Sequence, residues 1–288
     1  MKKIIFYILF LLLNPVTGYT QDIINITGSA SNDAVQQIRL QGMDDLPNLQ
    51  QSNQSIVNSV VIQQSGNLNS ANISQQHGSS SEVSNQSYTV QSGNLNELTL
   101  GQIGNKNLMM GFQSNNMNAL TSFVQANLTR ILTGNIGITE MQALDANGNM
   151  VEAERNKMTI SQNGNNNGLV AVQQGSDNTI SAEQTGNNNY LLALQKGNNN
   201  TLTGYKQENE SAHDLVDKVI QIGDNLSVKS EEVSKSSIIG NTFMQTGTNL
   251  SMVISSDLIN SPGGMEVKQT GKDMKVVIDQ SYFSFPLK

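Results

Sequence analysis

Residues 156–195, NKMTISQ NGNN NGLVAVQ QGSD NTISAEQ TGNN NYLLALQ, decide the fold of this chain. Four seven-residue segments alternate with four-residue segments, so the pattern returns every eleven residues. Within each seven-residue segment the residues alternate with a period of two, which is the spacing of a β-strand. Each four-residue segment has glycine second and Asn or Asp after it, residues that tolerate positive φ in tight turns. The stretch therefore predicts a coil of 22 residues, built as strand, turn, strand, turn.

The alternation also assigns the two faces of each strand. Asn156 begins the first strand and Gln162 ends it on the same face, with apolar residues between them. We expect this face to point inward, between two facing sheets. The alternate positions, which include Lys157, Val170, Glu183, Tyr190 and Leu192, are predicted to point outward.

The motif Q-x-G-x-x-N, which joins one strand to the next, occurs seven times in the chain. A buried amide left unpaired costs about 1–3 kcal/mol, but identical Asn or Gln residues one coil apart can bond to each other along the stack. The predicted ladder residues are Gln64, Asn69, Gln91, Asn96, Gln102, Asn107, Gln162, Asn167, Gln173, Asn178, Gln184, Asn189, Gln195 and Asn200. The predicted turn glycines are Gly66, Gly93, Gly104, Gly164, Gly175, Gly186 and Gly197. The sequence predicts an all-β, amyloid-like, two-sheeted β-solenoid of about eight coils spaced about 4.8 Å apart.

Along the whole chain, the pattern predicts six regions. Residues 1–20 have the basic start and short apolar run of a secretory signal peptide. A polar N-terminal segment (21–57) follows, then repeats (58–124) that end in a degraded strand over 118–124. Next come an irregular insertion or distorted coils (125–155), the best repeats (156–207) and degenerate repeats with a charged C-terminal end (208–288).

Composition argues against several classes of function. The net charge of −7 argues against a nucleic-acid partner, and no stretch after the signal peptide approaches the length of a transmembrane helix. Cysteine is absent, and the two histidines, His77 and His213, have no partner set, so neither metal nor thiol chemistry has ligands. We expect no catalytic, metal or cofactor site. A polysaccharide-cleaving pair among Asp177, Glu183 and Asp224 is an alternative, but these acids do not recur at corresponding coil positions.

The repeat itself resembles that of curlin proteins, the subunits of curli amyloid fibres. It appears here as Asn156-x5-Gln162-x-Gly164-x2-Asn167-x5-Gln173 and continues to Gln195. The resemblance implies an extracellular or cell-surface fibre in biofilm matrix and adhesion, with self or other curlin-like subunits as partners. It also implies curli-type export and nucleation machinery, with export recognition in residues 21–57.

The physics of stacking points the same way. An end coil exposes unpaired backbone groups and half-satisfied amides, which template the next chain. We therefore predict a fibre subunit that grows by templated stacking. The alternatives are a capped monomeric solenoid that serves as a surface adhesion or binding module, and a fibre accessory or nucleator. Joint replacement of Gln173, Gly175 and Asn178 is expected to slow or abolish polymerisation, whereas Tyr190→Ser is not.

Overall fold

The computed structural model describes residues 23–28, 34–40, 58–77, 85–114, 153–209, 216–230, 240–255 and 265–279, and every regular element within these ranges is a β-strand. The strands are β1 (Ile23–Gly28), β2 (Ala34–Leu40), β3 (Asn58–Asn67), β4 (Ser70–His77), β5 (Asn85–Asn94), β6 (Glu97–Gly104), β7 (Leu108–Gln113), β8 (Ala153–Glu154), β9 (Lys157–Asn165), β10 (Gly168–Gln174), β11 (Thr179–Asn187), β12 (Tyr190–Lys196), β13 (Thr201–Asn209), β14 (Asp217–Asp224), β15 (Ser227–Ser230), β16 (Thr242–Thr248), β17 (Ser251–Ser255), β18 (Glu266–Lys272) and β19 (Lys275–Asp279).

These strands form two parallel sheets. Sheet A has the order β1-β4-β6-β9-β11-β13-β15-β17-β19. Sheet B has the order β2-β3-β5-β7-β10-β12-β14-β16-β18, and the short strand β8 pairs beside it with β5. From β3 onward, with β8 set aside, the chain places one strand in each sheet in turn, which gives eight successive strand pairs. The predicted all-β, two-sheeted solenoid is confirmed.

The register of the sheets stacks equivalent positions of the repeat. Gln184 lies beside Gln162 in sheet A and Gln173 lies beside Gln195 in sheet B, each 22 residues apart. In the C-terminal coils the separation becomes 24 residues, as between Gln221 and Gln245. The separation between equivalent residues is therefore longer in the C-terminal coils than in the central ones.

The turns use positive φ at two positions. In the turn after β10, Gly175 has a φ of 115° and Asp177 a φ of 58°. The residue equivalent to Asp177 is Asn or Asp in most later coils, because these side chains tolerate the left-handed region. Leu68 and Leu95 occupy the equivalent position in the first coils, each with a φ of 57°, which is an uncommon conformation for leucine.

The core lies between the sheets and follows the predicted alternation. Strand β11 alternates between half-buried and buried residues, with Ile180, Ala182 and Gln184 buried. Its buried apolar side chains join a continuous cluster that runs from Val60 to Ile254. Each coil therefore contributes a thin slice of apolar residues, flanked at the strand ends by buried amides.

The outer faces of the two sheets differ, which corrects one prediction. On sheet A, Lys157 is exposed and Glu183 half-buried, as expected of outward residues. On sheet B, Val170, Tyr190 and Leu192 are almost fully buried, although they point away from the inter-sheet core. The assignment of these three residues to a solvent-facing surface is wrong. Their side chains belong to a second apolar cluster on the outer face of β5, β7, β10, β12 and β14.

Tyr190→Ser is consequently expected to destabilise the protein. Tyr190 is 3% exposed, and its hydroxyl accepts a hydrogen bond from Asn166 Nδ2 at 2.8 Å. Removing a buried aromatic ring costs about 3–5 kcal/mol, which thermal unfolding followed by circular dichroism would detect. Thr159→Ser, at an exposed outward position of sheet A, is the control and should melt like the wild type. Equal melting of the two variants would contradict the burial of this face.

The interruption of the repeat falls at one turn of the solenoid. Strand β6 pairs directly with β9, so that Gln102 lies beside Gln162, and β7 pairs directly with β10. The coils on the two sides of the interruption are therefore adjacent in the stack. The predicted strand over 118–124 lies outside the described residues, as do most of the predicted insertion over 125–155, the predicted signal peptide and residues 41–57.

Candidate functional site

Buried glutamines form a continuous ladder in each sheet. Except at the last glutamine of a ladder, each Nε2 donates to Oε1 of the glutamine in the next coil, so the amides point in one direction along the stack. Across the central coils Gln162 donates to Gln184 at 2.7 Å, and Gln173 donates to Gln195 at 3.1 Å. The sheet A ladder is Gln75, Gln102, Gln162, Gln184 and Gln207. The sheet B ladder is Gln91, Gln113, Gln173, Gln195, Gln221, Gln245 and Gln269.

The second hydrogen of these amides ties the two sheets together. Gln173 Nε2 in sheet B donates to the backbone oxygen of Lys157 in sheet A at 3.0 Å, and Gln184 Nε2 donates to that of Gly168 at 3.1 Å. A central ladder glutamine thus uses both hydrogens and its oxygen, although its side chain is buried. The ladder therefore adds polar bonds to the core without leaving an amide unpaired.

The asparagines that begin the strands run in the opposite sense. Between neighbouring coils of a series, the Oδ1 atom of the earlier asparagine accepts the backbone N–H of the next, as Asn156 accepts from Asn178 at 3.0 Å and Asn167 accepts from Asn189 at 3.0 Å. In sheet A the series is Asn69, Asn96, Asn156, Asn178 and Asn200, and in sheet B it is Asn85, Asn107, Asn167 and Asn189. The asparagine and glutamine ladders together hold adjacent coils by side-chain bonds of both polarities.

Asparagine also fixes the turn of the next coil, which explains the spacing of the motif. Asn178 Nδ2 donates to the backbone oxygen of Gly197 at 2.8 Å, and Asn167 Nδ2 donates to that of Gly186 at 3.0 Å. The glycine and the asparagine of Q-x-G-x-x-N therefore act on each other across neighbouring coils. A fixed spacing between them is needed if both are to stay in register.

The turn glycines stack in near contact. A Cβ atom built on Gly164 would lie 1.8 Å from the backbone oxygen of Gly186, and one on Gly197 would lie 1.9 Å from that of Gly223. A separation below 3.0 Å cannot be accommodated unless the backbone moves. Positive φ and this close approach both require glycine here.

The structure places the sequence-predicted residues as follows. Asn69, Gln91, Asn96, Gln102, Asn107, Gln162, Asn167, Gln173, Asn178, Gln184, Asn189, Gln195 and Asn200 are all at most 1% exposed. Gln64 and Gly66 lie in β3, in register with Gln91 and Gly93 of β5. Gly93, Gly104, Gly164, Gly175, Gly186 and Gly197 all have positive φ.

The ladders also contain residues that are not in the predicted set, namely Gln75, Gln113, Gln221, Gln245, Gln269, Asn85 and Asn156. Two more members, Gln207 and Asp217, depart from the frame of the repeat. Gln207 continues the sheet A ladder one position later than the frame predicts, because the register shifts between Leu202 and Tyr205. Gly204, with a φ of 69°, lies at this irregularity and is the signal that could have located it. Asp217 is the second residue, a buried carboxylate to which Gln207 donates in place of a further glutamine.

Charged side chains otherwise lie at the surface of the described coils. Arg155 forms a bidentate pair with Asp177 at 2.7 and 2.8 Å, and the guanidinium holds the pKa of that carboxyl below its ordinary value. Across the described ranges, no group of three or more His, Cys, Asp or Glu residues is arranged to hold a metal ion. Within the same ranges, no helix has the length and apolar character needed to cross a membrane.

Comparison with known proteins gives one family match. The sequence model of the curlin associated repeat matches residues 175–203, from the turn after β10 into β13. The match confirms the predicted resemblance of this repeat to that of curlin proteins. No curated protein and no solved structure matches the chain.

Proposed function

We propose that this chain is a structural subunit of an extracellular, curli-like amyloid fibre and assembles by templated stacking of its β-solenoid coils. The curlin associated repeat at residues 175–203 supports a structural role of this kind. The observation that carries the proposal is the repetition of one contact, from coil to coil, along the stack. The backbone bonds that join two coils within the chain are of the same kind as those that two chains would form end to end.

The proposed contact between chains would form at the outermost strands of each sheet. Among the described strands, β19 in sheet A and β18 in sheet B each pair on one side only, as do β1 and β2 at the opposite end. A strand with a free edge presents a row of backbone donors and acceptors to an incoming strand. The open ends of the two sheets are therefore the proposed assembly surfaces. The ladder amides and turn glycines are the proposed working residues.

The proposed setting follows from the same resemblance. Self or other curlin-like subunits are the proposed partners, together with curli-type machinery for export and nucleation. The signal-peptide pattern in residues 1–20 supports export. Biofilm matrix formation and adhesion are the roles that such a fibre would serve.

Seeded polymerisation of the purified mature chain tests the proposal. We expect the chain to enhance thioflavin T fluorescence after a lag that preformed fibres shorten. Fibre diffraction should show the two cross-β spacings, at about 4.7–4.8 Å and about 10 Å. A chain that stays monomeric for days and does not respond to seed would overturn the proposal.

The C-terminal coils favour a second candidate, a fibre accessory or capped solenoid. The sheet A asparagine series ends at Asn200, and the following coils carry Leu226, Leu250 and Met274 at that position. Met265 likewise follows Asn241 in sheet B. An incoming chain would find no asparagine Oδ1 at this end. Binding to the ends of preformed fibres without growth of the chain alone would favour the accessory role over the subunit.

A further inference from the structure

Among the described residues, one carboxyl group is buried inside the solenoid, at the point where the period of the repeat changes. Asp217 begins β14, between the 22-residue coils and the 24-residue coils, and is 3% exposed. Its position in the repeat holds an apolar residue in the preceding coil, since Asp217 lies in register with Leu191. A carboxyl group at such a position must be compensated by hydrogen bonds if it is ionised.

Four donors converge on this carboxyl group. Oδ2 accepts from the Tyr205 hydroxyl at 2.8 Å and from Gln207 Nε2 at 2.9 Å. Oδ1 accepts from the backbone N–H groups of Gly240 at 2.9 Å and Asn241 at 2.8 Å. Tyr205 and Gln207 belong to the coil before Asp217, whereas Gly240 and Asn241 lead into the coil after it. The carboxyl group therefore bridges three successive coils.

Two amide ladders stop at the same level. The sheet A glutamine ladder ends at Gln207, whose Nε2 donates to Asp217 instead of to another glutamine. The sheet B asparagine series stops at Asn189, whose buried Oδ1 has no hydrogen-bond partner. Asp217 then takes the acceptor role of an asparagine toward Asn241, whose own Oδ1 accepts from Met265. One side chain thus replaces side-chain bonds that two ladders supply elsewhere.

We propose that Asp217 is a pH-sensitive joint of the solenoid, at which proton binding tightens the attachment of the C-terminal coils β14–β19 to the preceding stack. Ionised, the carboxylate is buried with four donors and no countercharge among the described residues. Protonated, it no longer carries that buried charge.

The neighbours of Asp217 set the direction of the effect. Tyr205 is the one titratable group that faces it from the described strands. Leu191 lies beside it on β12, Asn241 precedes β16, and Lys218 points to the opposite face of β14. Burial raises the pKa of Asp217 above its ordinary value, and the four hydrogen bonds restrain the rise. Burial also keeps the pKa of the Tyr205 hydroxyl well above its usual range, so that it remains protonated.

The raised pKa of Asp217 determines how stability changes with pH. A carboxyl group whose pKa is raised by folding binds its proton more tightly in the fold than in the unfolded chain. Its contribution to stability is therefore fully present below the unfolded-chain pKa and is lost as the pH rises through the folded value. The joint is expected to hold better in mild acid than at neutral pH.

Infrared spectroscopy of the mature chain tests the proposal. We expect a protonated-carboxyl band that persists to a higher pH than the titration of the surface carboxyl groups. The band should be lost in Asp217→Asn and retained in Asp273→Asn, a control at an exposed turn where the two preceding coils carry Asn225 and Asn249. The protection factors of the β16 amides against hydrogen exchange, compared between these variants at each pH, should rise in acid only where Asp217 is present.

Tyr205→Phe gives a second readout that does not depend on the folding of Asp217→Asn. The variant keeps the ring that packs edge-on against Phe243 but removes one donor to the charged form. The band should therefore persist to a still higher pH than in the wild type. A band that follows the surface carboxyl groups in the wild type, or that does not move in Tyr205→Phe, would overturn the proposal.

Discussion

Gly197→Ala is expected to disrupt the stack at the centre of the repeat. The added Cβ atom would lie 1.9 Å from the backbone oxygen of Gly223 and 3.0 Å from Asp224 Oδ1. The backbone at Gly197 also has a φ of 118°, which an alanine rarely adopts. Strain and displaced backbone together should cost at least ~3 kcal/mol, measured as the change in free energy of unfolding in urea.

Two other glycines separate the causes of this loss. Gly101→Ala is the neutral control, because no atom lies within 4 Å of its built Cβ, and it should change stability by less than about 0.5 kcal/mol. Gly271→Ala carries the same kind of strain, with a φ of 135°, but its Cβ meets only the Met274 side chain in the last coil. It should be less damaging than Gly197→Ala. An equal loss at both positions would show that backbone strain, and not coil-to-coil contact, is the cause.

The fold was predictable because its determinants are local and repeat. A strand of alternating residues, a glycine turn and an asparagine recur in phase, so a single coil predicts its neighbours. What the structure adds to the sequence prediction is the hydrogen-bond partner of each residue. An example is the backbone oxygen of Gly197, which accepts from Asn178. No long-range information was needed to find those two positions.

The outer face of sheet B was harder to predict, since alternation identifies a face but does not say whether it is covered. A signal was nevertheless present in the sequence. Strands β10 and β12 read GLVAVQQ and YLLALQK, which are apolar on both faces, whereas β9 and β11 read KMTISQNGN and TISAEQTGN. Near-continuous apolar strands are typical of sheets buried on both sides. Because the apolar strands alternate with the half-polar strands along the chain, this difference also shows that the repeating unit is two strands.

The joint at Asp217 could not be predicted because it depends on two departures from the repeat. The register shift beyond Leu202 moves Gln207 into the ladder. The change of period then places Asp217 within reach of Gln207. Neither departure has a fixed spacing, and only the folded coils bring the four donors together. Irregular positions of a repeat therefore carry the information that the consensus pattern lacks.

Gln184→Leu is expected to break the sheet A ladder at its middle. Gln184 is fully buried, accepts from Gln162 Nε2 at 2.7 Å, and donates to Gln207 Oε1 at 2.7 Å and to the Gly168 oxygen at 3.1 Å. Leucine is close to glutamine in size, so the loss reports the three polar partners rather than a cavity. At about 1–3 kcal/mol for each group left unpaired, the variant should lose about 4 kcal/mol in urea unfolding and lengthen the lag of polymerisation.

The matched control for Gln184→Leu lies next to it on the outer face. Glu183→Gln removes the surface ion pair between Glu183 and Lys206, whose side chains are 45% and 39% exposed, respectively. The variant should lose no more than about 1 kcal/mol of unfolding free energy. Gln184→Glu adds a test of mechanism, because it keeps the shape but buries a charge. Its stability should recover as the pH falls and the carboxyl group takes up a proton. If Gln184→Leu instead unfolds at the same urea concentration as the wild type, the ladder amides do not stabilise the coils. Stacking must then rest on backbone hydrogen bonds and apolar packing alone.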